Sequence, residues 1–448
     1  MDDLSDFLAG LHCQLERCAA AAASGEETRH SSVWRIAAYG MVCLAAAAVV
    51  LGSVFWPQDR GPLQAGRSGG TSAIVLAVAT GGERALADNA RTRAGKLPNP
   101  GYVLLDAAAR SEDDVWAAGF LSTVDASTGN ESIHSVILHW DGHVWRQVSA
   151  PDVGAVRAIA LDAQGGVWAV AWSPGQKPRQ HMLHWDGHEW SDLVLPVGAG
   201  LMSDLVAFSS DDVWAVGAKT GPLVTRGTYG WNPEHVRLVH WNGTTWTTVA
   251  APAGAQRGFL RSVSGTSSVD VWAVGRRDRR GGRAAGTLVL HWDGSAWSRI
   301  PSAPTGAPWL VTVAAISPTD VWAGGEDLLQ HRDGRSWRRT PHDFQIYSQL
   351  AALSADEIWL ATGNRGVVHW DGRGWHSFSL RDMGLTSANI PPTIDAVTPV
   401  SARSVWAFGR IWQRRRKDPR SSWAPSLPLI LHWDGSTWRI VVDSVVVQ

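Results

Sequence analysis

Val271-Trp272-Ala273, followed after a variable stretch by His291-Trp292-Asp293-Gly294-Ser295-Ala296-Trp297, decides the fold, because the chain writes this pair of signatures seven times. The first signature recurs at Val115-Trp116-Ala117, Val167-Trp168-Ala169, Val213-Trp214-Ala215, Val321-Trp322-Ala323, Ile358-Trp359-Leu360 and Val405-Trp406-Ala407. The central Trp residues are spaced by about 48 residues on average, a period that belongs to propellers and solenoids.

Each unit reads as four short strands. In the second, Ala155 to Ala160 is an apolar run, Leu161 to Gly166 carries turn chemistry, and Val167 to Ala171 is the Trp-bearing strand. His181 to Asp186 and His188 to Leu195 form the third and fourth strands, hinged at Asp186-Gly187. Asp-Gly between apolar strands is a hairpin signal, since the glycine supplies the positive φ of a tight twisted turn. The hinge recurs at Asp141-Gly142, Asn242-Gly243, Asp293-Gly294, Asp333-Gly334, Asp371-Gly372 and Asp434-Gly435, which pins the register of every unit.

The two Trp around each hinge stand five positions apart, as in Trp140 and Trp145, with Arg332 replacing the first in the fifth unit. Only seven of the 27 Trp fall outside the repeat. Fixed spacing beside variable loops points to packing, and a large ring buries roughly 150–250 Å², so these rings read as wedges between neighbouring blades. Small residues such as Ala215 and Gly217 leave room for that packing. A four-stranded sheet repeated in this way closes into a ring that protects its edges. The expectation is an all-β chain dominated by a seven-bladed β-propeller at residues 100–448. Every blade draws its strands from its own unit, so closure calls for the apolar tail Val441 to Val447 or the isolated run Ala73 to Ala79 as an extra strand.

A formal charge of −1 over 448 residues names no partner, and no nucleic acid is expected. Ile36 to Phe55 is uncharged and bracketed by Trp34 and Trp56. Twenty helical residues span about 30 Å of hydrocarbon and Trp suits both interfaces, so 34–56 is predicted to be a transmembrane helix. A cleaved signal peptide fits poorly after so long a leading segment. Residues 1–33 then form a short cytoplasmic tail whose Leu4, Phe7, Leu8, Leu11 and Leu15 share one helical face, and 57–99, rich in Gly, Ala, Arg and Pro, forms a flexible stalk. Arg29 and Arg35 are balanced by Arg60 and Arg67, so the positive-inside rule is nearly silent. A propeller outside the cell membrane is the preferred orientation; Cys13, Cys18 and Cys43 all precede it.

His139, His184, His240, His291, His331, His369 and His432 lie on seven different third strands, so they cannot converge on one ion. The turn aspartates serve their own hairpins. His12, Cys13 and Cys18 distantly resemble the zinc-bearing tails of membrane-bound anti-sigma factors but depart from that spacing. No nucleophile elbow, phosphate loop or zinc-protease motif occurs. The hinge Asp-Gly-x-x-Trp looks like a shortened sialidase Asp box, yet only Tyr102, Tyr229 and Tyr347 are at hand as nucleophiles. No enzyme, cofactor or metal is expected.

Asp212-Val213-Trp214-Ala215-Val216-Gly217 alternating with His291 to Trp297 resembles the tryptophan-rich repeats of actinobacterial exported or membrane-anchored propeller proteins, over roughly three quarters of the chain. The resemblance implies the fold and little chemistry. The Trp-Asp pair looks superficially like WD repeats without their upstream Gly-His, and the Kelch double glycine does not recur.

Function is then expected outside the repeat. Loops joining second to third strands, and fourth to next first strands, emerge on one face. That face collects Trp172, Trp231, Trp309, Trp412 and Trp423, with Arg276, Arg277, Arg279 and Arg280 in the fourth unit and Arg414, Arg415 and Arg416 in the seventh. Ser426 reads as an exposed loop site there. The opposite face receives Glu112, Asp113, Asp114, Asp211, Asp212, Asp270, Asp320, Asp356 and Glu357, which would make the disc dipolar. The leading expectation is an extracytoplasmic binding module for a cell-envelope glycan, an anionic polymer or a protein partner. The alternatives are a signalling protein working through its N-terminal helix and a glycan hydrolase.

Overall fold

The computed structural model describes the strand Val75–Leu76 and residues 101–447, apart from 126–127, 129, 174–178, 221–232, 279–283, 303–308, 386–390, 413–425 and 442–444. The expected cytoplasmic helix, membrane helix and stalk lie outside the described residues. Among the described residues every regular element is a strand. The strands form antiparallel four-stranded meanders over 101–147, 155–193, 201–249, 258–299, 312–339, 350–378 and 393–440, an all-β, propeller-like fold.

Each hinge has the expected chemistry. Asp141 Oδ1 accepts the amides of His143 and Val144 at 3.0 and 2.9 Å, and Gly142 takes φ 87°. The Val144 amide leads the contacts that hold the Asp141 carboxyl down at about 2. Asn242 and Asp434 bond their turns in the same way.

The second-strand Trp side chains are at most 5 % exposed, and each is enclosed from two sides. On one side lies the His of the unit's own third strand: Trp272 stacks on His291 at 4.1 Å and Trp359 on His369 at 3.9 Å. The imidazole is held by an acid at the start of the second strand, His291 Nε2 to Asp270 Oδ1 at 2.7 Å, and the same carboxylate oxygen accepts from Trp272 Nε1 at 3.1 Å. His139–Asp114, His240–Asp212, His331–Asp320 and His369–Glu357 repeat the pairing. In the seventh unit Ser404 takes the acid's place, and in the second Asp162 reaches Trp168 from the preceding turn. Burial pushes His184, His369 and His432 below the usual imidazole range, so these rings are neutral stacking partners near pH 7.

On the other side lie the hinge Trp residues of the following unit. Trp214 meets Trp292 at 4.9 Å and, edge-on at 81°, Trp297 at 5.3 Å. Trp168 meets Trp241 and Trp246, Trp322 meets Trp370 and Trp375, and Trp359 meets Trp433 and Trp438. In the fifth unit Arg332 stands 5.3 Å over Trp272, a cation on the same ring face that Trp covers elsewhere. The succession returns to its start, since Trp406 packs on Trp140 and Trp145 at 5.2 and 5.3 Å.

First and last units are also joined by strands. Gly101 bridges Ser426, and Ser426 Oγ donates to the Tyr102 carbonyl at 2.7 Å. Ser426 is therefore buried, 1 % exposed, and not the open loop site its sequence context implied. The tail strand Val445–Val447 runs parallel to Trp145–Gln147, and Val75–Leu76 pairs outside it, so both candidate closing segments lie on the outer edge of the first unit.

Gly217 has a different cause from the one its sequence suggested. A Cβ there would overlap the Leu201 carbonyl oxygen, because the first strand of the same sheet bulges between Met202 and Asp204. The missing side chain accommodates that bulge rather than a neighbouring blade. The residue after each bulge, or its equivalent, reaches into the next sheet. Asp106 Oδ2 accepts from the Ile159 amide, Asp204 Oδ2 from Val263, Ser262 Oγ from Val313, Thr312 Oγ1 from Leu350 and Gln349 Oε1 from Val397. Gln349 Nε2 then donates to Asp106 Oδ1 at 2.8 Å, passing over the apolar Ala396. This polar belt ties first strand to first strand around the inner rim.

Burial, reinforced by the nearby Asp204 carboxylate, pushes Asp106 up to about 8, while burial raises Asp204 to about 6. A raised carboxyl binds more protons folded than unfolded, so its contribution is complete below about pH 4 and is lost as pH rises through about 8. The melting temperature should fall with rising pH across that window, and Asp106→Asn should flatten the slope. An unchanged slope in the variant would show that Asp106 is not the titrating group.

Candidate functional site

The belt joins equivalent positions of successive first strands, so the sheets share one polarity and the ends of all second strands lie on one rim with the beginnings of the first strands. Trp172 and Trp412 end their second strands there, and Trp309 precedes the first strand of the fifth unit. Arg276 and Arg277 lie near the end of the fourth unit's second strand. Trp231, Trp423, Arg279, Arg280, Arg414, Arg415 and Arg416 lie outside the described residues.

The three described Trp residues are half-buried, and each carries a guanidinium on its ring. Arg157 stands 5.3 Å over Trp172, Arg276 5.5 Å over Trp309 and Arg410 4.8 Å over Trp412. Arg276 also covers Phe259 at 5.0 Å, and Phe259 meets Trp309 edge-on. Trp412 Nε1 donates to Thr393 Oγ1 at 3.1 Å, which fixes its plane. The rim thus holds three preset Trp–Arg pairs rather than bare indole faces.

Two of these cations are neutralised from within the fold. Arg276 Nε lies 2.8 Å from Asp278 Oδ1 and its Nη2 donates to Oδ2 at 3.1 Å. Arg410 Nη2 lies 3.4 Å from Asp395 Oδ2; burial raises Asp395 and Arg410 opposes it. On the far rim Asp114, Asp212, Asp270, Asp320 and Glu357 are likewise engaged with their own histidines. The positive charges of Arg276 and Arg410 are therefore answered within their own sheets.

Sequence reasoning passed over Arg157 and Arg261. Each sits at the bulge of a first strand, where the register shifts between Val156 and Ala158 and between Leu260 and Ser262. The available signal was a single Arg inside the apolar run Ala155-Val156-Arg157-Ala158-Ile159. Also unforeseen was a relay from Ser173 Oγ to His181 Nε2 at 3.2 Å and from His181 Nδ1 to Asp192 Oδ2 at 2.7 Å, beside a cleft of about 400 Å³. Thr123, His134 and Asp152 repeat it in the first unit at 3.4 and 2.7 Å, which marks the arrangement as a cross-strand tie. Among the described residues no three His, Cys, Asp or Glu side chains come together as a metal site.

No family model and no curated protein matches the chain. Among solved structures, YCF48 bound to a D1 peptide is similar over 75% of this chain and 93% of its own, at 16% identity and a TM-score of 0.47. The WD40 repeats of RRP9 are similar over 75% and 99%, at 13% identity and a TM-score of 0.45. An acylaminoacyl peptidase is similar over 78% of this chain and 53% of its own, at 10% identity and a TM-score of 0.47.

Proposed function

We propose that the chain is a single-pass membrane protein whose repeated sheets close into a seven-bladed ring outside the membrane. The rim bearing Trp172, Trp309 and Trp412 binds an anionic component of the cell envelope, carried by a glycan polymer or a protein partner. The observation behind this reading is that three separate sheets present Trp–Arg pairs on one rim. A Trp edge offers flat apolar area at low entropic cost, and a guanidinium offers forked hydrogen bonds to carboxylate or phosphate. The sequence continues from these strand ends into Arg279, Arg280, Arg414, Arg415 and Arg416, which add cationic charge to the same two units.

The full chain, purified in detergent, should be retained by isolated cell-wall polymer at low salt and released at about 0.5 M, where screening shortens charge interactions to a few ångströms. Absence of retention at every salt concentration would overturn the envelope-ligand reading. Orientation is tested separately on intact cells with an impermeant thiol reagent. Val197 is fully exposed, so Val197→Cys replaces position 426 as the reporter. It should be labelled while Cys13 and Cys18 stay protected until lysis; the opposite pattern would place the ring in the cytoplasm.

A further inference from the structure

Of the three described guanidiniums that cover a rim Trp, Arg157 alone has no acid to answer it. Arg157 is itself half-buried, at the bulge between Val156 and Ala158, which are 0 and 2 % exposed. Arg276 and Arg410 have Asp278 and Asp395, whereas Arg157 makes one contact, over the Trp172 ring. Trp172 Nε1 is itself buried without a hydrogen-bond partner. Arg261, at the equivalent bulge two units on, adds a second positive charge, exposed and without an ion pair. Burial, with the like charge of Arg261 adding to it, pulls Arg157 down to about 10. A guanidinium has five N–H donors and no acceptor capacity, so leaving it partly desolvated beside another unanswered donor works against folding.

We propose that the inner mouth of this rim holds a small oxyanion, the carboxylate or phosphate group of a larger ligand, on the guanidinium of Arg157 with Trp172 and Arg261 beside it. The inference deepens the reading of this rim as the binding face and names what that face recognises. Arg157 takes the anion through two parallel N–H bonds, the geometry a guanidinium offers and an ammonium lacks. Arg261 supplies field rather than the principal bond, because it also lies near the Asp204 carboxylate. Asp106, one position past the equivalent bulge in the first unit, is held up to about 8, so it is mostly uncharged at neutral pH and does not repel the anion strongly.

The test is thermal unfolding of the full chain in sodium phosphate and in sodium acetate, each matched by chloride at equal ionic strength. A bound anion raises the melting temperature with the logarithm of its concentration, and that rise is expected with phosphate, acetate or both, beyond chloride. The relative response separates phosphate from carboxylate recognition. Arg157→Gln should melt at or above the wild-type temperature without anion and lose the response. Arg157→Lys should bind about tenfold more weakly or worse, and Arg338→Gln, at a side chain 74% exposed on a fourth strand, should respond as the wild type does. Equal behaviour in chloride and oxyanion, a response that survives in Arg157→Gln, or an anion-free Arg157→Gln melting below the wild type would each overturn the proposal. Polymer retention without an oxyanion response removes this site alone; a response without retention removes the envelope ligand alone.

Discussion

Everything in this molecule depends on one indole placed between two others and an imidazole. The second-strand Trp of each unit stacks on its own unit's His and is covered by the hinge residues of the next unit, so one side chain reports both on its own sheet and on its neighbour. Each aromatic pair contributes about 0.5–1.5 kcal/mol beyond buried area, and the arrangement recurs at junction after junction. The edge-on contacts cluster near 81–83°. The fourth-strand indole N–H groups are buried without an oxygen acceptor, and an edge-on approach offers them a π face instead.

That packing requires a fixed imidazole, which explains where the acids go. Asp114, Asp212, Asp270, Asp320 and Glu357 orient their histidines, so each acid has a partner within its own sheet. The other rim follows the same rule, with Asp278 and Asp395 answering Arg276 and Arg410. Function is then sought where the rule is broken, and among the rim's described Trp–Arg pairs it is broken at Arg157.

The strand order, hinges and Trp wedges were legible because their causes are local and periodic: an Asp-Gly turn, two Trp five residues apart, a Val-Trp-Ala strand. The inner belt was not legible. Its members are Asp106, Asp204, Ser262, Thr312 and Gln349, of different types at one structural position, and the Gln349–Asp106 bond joins residues 243 apart. Gly217 was visible as a small residue, but its reason lies in a bulge on the partner strand that no pattern announces. Ser426 was misplaced because its pairing with Gly101 joins opposite ends of the propeller sequence. The rim Trp residues were found from their position outside the repeat; that Trp172 and Trp309 would carry a guanidinium was hidden by their distance in sequence from Arg157 and Arg276, whereas Arg410 stands two residues from Trp412.

The central claim is that one Trp wedge both joins neighbours and closes the ring. It is tested most directly by a double-mutant cycle in urea unfolding across the closing junction, Trp406→Ala with Trp145→Ala, set beside Trp214→Ala with Trp297→Ala at an internal one. The account predicts a coupling of about 0.5–1.5 kcal/mol at both. Coupling at Trp214 and Trp297 with strict additivity at Trp406 and Trp145 would contradict it, and would mean that the first and last units are held together by something other than the wedge.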